Sequence, residues 1–143
     1  MNQTRILSIY TDGGARGNPG PAAIGVYITS EQGKLIAEIG KKIGDQTNNV
    51  AEYRAILEAL DWVGKNIQKF SNLLRINFFM DSNLAASQLN GIYKVKNPNL
   101  RILLFEIRQK EAELNLPISY VHIPREKNIK ADKLVNMALD KVI

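Results

Sequence analysis

Residues 6–26 read ILSIYTDGGARGNPGPAAIGV. Ile6, Ser8 and Tyr10 alternate with Leu7, Ile9 and Thr11, the period-two pattern of a strand buried on at least one face. Asp12 stands where that strand is expected to end. Four glycines, Asn18 and two prolines follow within nine residues, before a second apolar run from Ala22 to Ile28. Glycine supplies turns with positive φ and lets another backbone approach closely, while Asn-Pro and Gly-Pro punctuate the chain. These residues alone describe a hairpin with an acid at its neck, a natural place for a metal or phosphate ligand.

Composition narrows the classes. A chain of 143 residues fits one domain, 1–143, around a single hydrophobic core. Its 45% apolar and 23% charged residues are those of a globular protein rather than a disordered one. The absence of cysteine excludes disulfides and thiolate metal sites, and fits a reducing cytoplasm. With one histidine, any metal must be held mainly by oxygen ligands. No apolar run is long enough for a membrane span and no signal peptide is visible, so no membrane association is expected. The net charge of +5 leans toward polyanionic partners. Met1 and a full set of elements suggest a stand-alone protein, with a monomer as the expectation.

Onward from the first turn, Ala22–Thr29 and Lys34–Lys41 read as two strands around the polar turn 30–33, giving an antiparallel meander. In NNVAEYRAILEALDWVGKNI, Tyr53, Ile56, Leu57, Leu60, Val63 and Ile67 recur at three- and four-residue spacing, the mark of an amphipathic helix. Thr47, Asn48 or Asn49 could cap it. Glu52 falls near its first turn, where an acid also complements the helix dipole. Leu74–Met80 is a short strand followed directly by Asp81, and Ser82 opens a short helix, Asn83–Leu89. A loop, Asn90–Asn99, precedes a helix over Leu100–Asn115, then a strand over Ile118–Ile123 and a terminal helix entered through PREKNIKAD. Strands first, then helices alternating with two more strands, indicate an α/β domain with a mixed five-stranded sheet.

Four acids stand at element boundaries: Asp12, Glu52, Asp81 and Asp132. Their settings, DGGARGNPGPAAIG, NNVAEYRA, FFMDSN and PREKNIKAD, occur in the order found in type 1 ribonuclease H, and the chain resembles that family over nearly its whole length. The resemblance implies the ribonuclease H-like fold, with the first strand central and helices on both faces of the sheet. It implies a metal-dependent endoribonuclease that cleaves the RNA strand of RNA–DNA hybrids, without strong sequence specificity, leaving 5′-phosphate and 3′-hydroxyl ends. A carboxylate cluster makes physical sense with cations present, because the acids otherwise drive one another toward protonation. Mg²⁺ suits such oxygen donors and Mn²⁺ can substitute. The expectation is two ions, with Asp12 bridging both, Glu52 and Asp81 on one, and Asp132 on the other.

The resemblance also implies substrate contacts. Asn18, Asn48 and Asn49 would serve the hybrid, Thr47 would grip a DNA-strand phosphate, and Gly13, Ser82 and Asn128 would line the substrate side. Each of these has a plainer reading as a turn or cap residue. Many bacterial relatives carry a long basic insertion after the helix that follows the third acid; here only Tyr93, Lys94 and Lys96 stand in a short loop. The chain thus resembles the insertion-free group, with weaker and salt-sensitive binding expected and cleavage of double-stranded RNA left open. Lys94 and Lys96 also read as a solvated loop. A loop histidine aids product release in some relatives. His122 lies at the end of the last strand, whereas Arg125 lies in the following loop and is the favoured counterpart, acting through charge. Integrases, exonucleases and junction resolvases share acidic clusters on related folds, but the GNPG turn and the NNxxE helix start argue against them. A catalytically inactive binding module would have no need of four clustered acids.

Overall fold

A computed structural model describes residues 3–141; Met1 lies outside that range. Strand β1 (Ile6–Ala15) is followed by β2 (Gly20–Ser30) and β3 (Leu35–Gln46), and then by helix α1 (Asn48–Asn66). The remainder is β4 (Arg75–Met80), α2 (Asn83–Leu89), α3 (Pro98–Leu114), β5 (Ile118–His122) and α4 (Ile129–Leu139). The five strands form one sheet in the order β3-β2-β1-β4-β5. The first three pair antiparallel, while β1 with β4 and β4 with β5 run parallel.

Alternation along β1 assigns the two faces. Leu7 and Ile9, with Ile28 opposite Ile9 and Val26 opposite Thr11, join Tyr53, Ile56, Leu60 and Val63 of α1 and Ile107 of α3 in the main core. Each of these side chains is almost wholly buried, and truncating such a residue to alanine costs about 2–5 kcal/mol. On the opposite face Ala23, opposite Gly14, packs with Val135 and Ala138 of α4. Helices therefore cover both faces, with β1 in the middle.

The elements begin and end for identifiable reasons. Thr47 caps α1, its hydroxyl accepting the Val50 N–H at 3.2 Å. Ser82 caps α2 by accepting from Ala85 N–H at 3.1 Å, at the expected position. Asn97 caps α3 and Pro98 occupies its first turn, so that helix starts two residues earlier than its apolar pattern suggests. Asn115 closes α3 in a left-handed conformation, φ 54°.

Three expectations need correction. Asp12 does not end its strand: β1 continues through Gly13 and Gly14 to Ala15, paired with Ile24, Ala23 and Ala22. Gly13 and Gly14 are thus strand residues, while the turn itself falls at Gly17, φ 95°; Gly13 is forced by packing. A Cβ on Gly13 would lie 2.2 Å from the carbonyl carbon of Ala51, so α1 presses its backbone onto β1 at that point. Likewise β3 extends to Gln46, well past the end expected at Lys41. Glu52 lies a full turn inside α1, beyond the reach of a first-turn dipole effect.

Candidate active site

Parallel pairing brings the carboxyl ends of β1 and β4 to the same edge of the sheet, and Asp12 and Asp81 with them. The close approach at Gly13 brings α1, and Glu52 with it, against that edge. Carboxylate oxygens of Asp12, Glu52 and Asp81 all lie within 4.8 Å of one another. Asp12 is the most enclosed, 8% exposed, and its Oδ1 accepts the Gly13 N–H at 3.0 Å. Asp132, on the first turn of α4, stands exposed on the wall of the same cleft and is not in that tight group.

The electrostatics are those of a crowded anionic site. Burial, followed by the charges of Asp81 and Asp132, pushes the Asp12 carboxyl up to about 7; the Gly13 N–H opposes this. Burial also drives Glu52 well above the ordinary carboxylate range, aided by the charges of Asp12 and Asp81. Hydrogen bonding between these two carboxyls favours the protonated form of Glu52 and the ionised form of Asp12. A site that retains protons in this way gains by exchanging them for a hard, oxygen-seeking cation, and the all-carboxylate donor set fits Mg²⁺ or Mn²⁺.

The cleft encloses about 440 Å³. Besides the four acids it is lined by Gly13, Asn48, Asn49, Ser82 and Arg125. Asn48 Oδ1 accepts the Ala15 N–H at 2.8 Å, and Asn18 Oδ1 accepts the Asn48 N–H at 3.0 Å, so both asparagines join the glycine-rich turn to the start of α1. Thr47 is exposed and its hydroxyl is engaged as the α1 cap. Lys94 lines a separate depression with Tyr93 and Phe105, and Lys96 is exposed; neither borders the acid cleft. His122 closes β5 beside Met80 and does not line the cleft.

Asn128 departs most from expectation. Expected on the substrate side, it is instead 1% exposed and does not reach the cleft wall. Its Nδ2 donates to the Thr11 carbonyl at 2.9 Å and to Asp81 Oδ2 at 3.0 Å. The sequence reading also passed over Arg16 and Asn136, which line the cleft. Arg16 pairs with Asp140 at 2.6 Å and reaches Asn136 Oδ1 at 3.5 Å, linking the first turn to α4. A cation inside the DGGARG turn was the available signal.

Fold and acid cluster together define a member of the ribonuclease H-like class. Residues 10–138 match the family described as reverse transcriptase-like. A bifunctional protein of Mycobacterium tuberculosis is 41% identical over 92% of this chain and 35% of its own length. Ribonuclease HI of Halobacterium salinarum is 39% identical over 92% of this chain and 63% of its own length. The chain thus spans about a third of the mycobacterial relative and under two thirds of the archaeal one. The crystal structure of LC11-RNase H1 in complex with an RNA/DNA hybrid superposes with a TM-score of 0.89 at 47% identity, covering 95% of this chain and 98% of that one. That protein was isolated from compost by a metagenomic approach. The chain belongs to the type 1 ribonuclease H family.

Proposed function

We propose that this chain hydrolyses the RNA strand of RNA–DNA hybrids, leaving 5′-phosphate and 3′-hydroxyl ends, with two divalent cations held by Asp12, Glu52, Asp81 and Asp132. The observation that carries the reading is the set of three carboxylates within 4.8 Å at the shared edge of β1 and β4, with Asp132 on the same cleft wall. When bound, two Mg²⁺ ions supply an activated water and neutralise charge on the leaving oxygen of a phosphodiester. Asp12, the most enclosed acid, would serve both ions, with Glu52 and Asp81 on one side and Asp132 on the open side. Arg125 offers a fixed positive charge at the cleft for the scissile or departing phosphate.

Asn48, Asn49 and Ser82 border the same cleft and supply polar groups suited to a sugar–phosphate backbone and to the 2′-hydroxyl that marks an RNA strand. Asn18 acts on this wall by holding Asn48. Recognition through backbone and sugar makes cleavage tolerant of base sequence. Lys94 and Lys96 would add a diffuse attraction to the duplex from outside the cleft. The protein acts as a monomer in the cytoplasm. No described helix is long and apolar enough to cross a membrane.

The test is cleavage of labelled RNA–DNA hybrid beside matched double-stranded RNA and DNA, with Mg²⁺, Mn²⁺ or EDTA. Cleavage of the hybrid's RNA strand that EDTA stops is the expected result. Cleavage of double-stranded RNA as well would widen the substrate class. Hybrid binding without cleavage in either metal would overturn the enzymatic reading.

A further inference from the structure

Asn128 immediately precedes α4, where asparagine ordinarily caps a helix, yet its side chain makes no capping bond. It turns inward and is almost completely buried. Both hydrogens of its amide are used, one on the Thr11 carbonyl and one on Asp81 Oδ2. Its orientation follows from chemistry: a flipped amide would aim Oδ1 at two acceptors. Oδ1, as seated, has no protein hydrogen-bond partner, an unusual condition for a buried acceptor. The residue forgoes its cap and leaves an acceptor unpaired, while its donors reach the strand that carries Asp12 and the carboxylate of Asp81. Its own carbonyl accepts the N–H of Asp132 at 3.2 Å.

We infer that Asn128 is a positioning residue for the cation site: it holds one oxygen of Asp81 from behind, leaves the other free for the ion, and ties together the backbone segments carrying Asp12, Asp81 and Asp132. Oriented ligands bind metal more tightly than ligands that must be ordered on binding, and the partners that orient them commonly contribute ten- to a hundred-fold in affinity. Asn128 thereby supports the acids without touching substrate. This rests on reading the acids as a cation site, and not on which nucleic acid is cut.

The experiment uses Mg²⁺ alone, by calorimetric titration of the intact protein, beside urea unfolding without metal. Three variants are compared: Asn128→Ala, Asn128→Leu and Thr11→Val. Leucine nearly matches asparagine in shape and removes the donors and the unpaired acceptor together, so Asn128→Leu keeps the test available where alanine destabilises the fold. Thr11→Val alters the same interior but retains the backbone carbonyl that Asn128 uses. Both Asn128 variants are expected to lose about tenfold or more in Mg²⁺ affinity. Asn128→Leu leaves the buried Thr11 carbonyl without its donor and is expected to stay folded with a modestly lower metal-free unfolding midpoint, and Thr11→Val to bind within about twofold of the wild type. Folded Asn128 variants that bind as the wild type does would overturn the assignment. So would an equal loss in Thr11→Val, which would make the role one of packing alone. A wild-type protein that takes up no Mg²⁺ would overturn the cation site itself, an outcome distinct from failure of Asn128 to support it.

Discussion

Asn18 and Asn48 are joined across thirty residues of sequence: the backbone N–H of Asn48 donates to Asn18 Oδ1 at 3.0 Å, and Asn48 in turn receives the N–H of Ala15. The glycine-rich turn is thereby fastened to the first residue of α1. Asn18→Ala removes the acceptor of an otherwise free helix-start N–H and is expected to lower stability by about 1 kcal/mol, read from urea unfolding. Because Asp12 is held separately by strand pairing, Mg²⁺ affinity should change little. A large loss of metal binding with unchanged stability would contradict this division.

Asp12→Asn is expected to abolish cleavage while leaving the fold intact, read from hybrid cleavage and circular dichroism. Without metal it should also be the more stable protein at neutral pH, because it removes a buried charge from a crowded anionic site.

The same crowding sets a pH dependence. The Asp12 carboxyl titrates near 7 in the folded chain against an ordinary value of 3.8, so between those values the folded state holds a proton that the unfolded state has released. Its contribution to stability is therefore full below about pH 4 and declines as pH rises toward 7. Glu52 shifts in the same direction and adds to the decline. Metal-free unfolding midpoints measured from pH 4.5 to 7.5 should fall on this account, and saturating Mg²⁺ should flatten the trend. A midpoint that rises across the range at both metal conditions would refute the linkage.

Gly13→Ala would place a Cβ 2.2 Å from the Ala51 carbonyl carbon and 2.5 Å from the Glu52 nitrogen. Neither is the end of a flexible side chain, so α1 must move away from β1. A loss of about 3 kcal/mol or more is expected, together with weakened Mg²⁺ binding because Glu52 retreats from Asp12. Normal stability in this variant would show that the two backbones separate freely.

Arg125→Ala is expected to slow turnover by about tenfold or more, as loss of a positive group facing developing charge does. His122→Ala, at the end of β5 and off the cleft wall, should leave turnover unchanged. The reverse pattern in single-turnover kinetics would transfer the role to His122.

The site was legible to the extent that its residues carry local signals. Ser82 before an apolar helix, Asp81 after FFM and the spacing of Tyr53, Ile56 and Leu60 each describe their own surroundings, and the elements formed where those signals lie. Gly13 and Asn128 were misread because their roles are set by distant partners. A glycine admitted for the approach of Ala51 looks in sequence like one admitted for a turn. An asparagine facing Thr11, 117 residues away, looks like any polar residue ahead of a helix. Arg16 was overlooked for a related reason: its partners Asn136 and Asp140 lie at the far end of the chain.

The loop between α2 and α3 stands apart from everything that holds the acids, which come from β1, α1, the end of β4 and the start of α4. Its exposed residues, Gly91–Lys94, can be extended or recharged without altering the register of any strand that carries a carboxylate. Selection can therefore adjust how firmly the protein holds a polymer while its chemistry is inherited unchanged. Engineering can do the same, by grafting a longer basic loop at the exposed residues Ile92–Lys94 and keeping the buried Val95 in place.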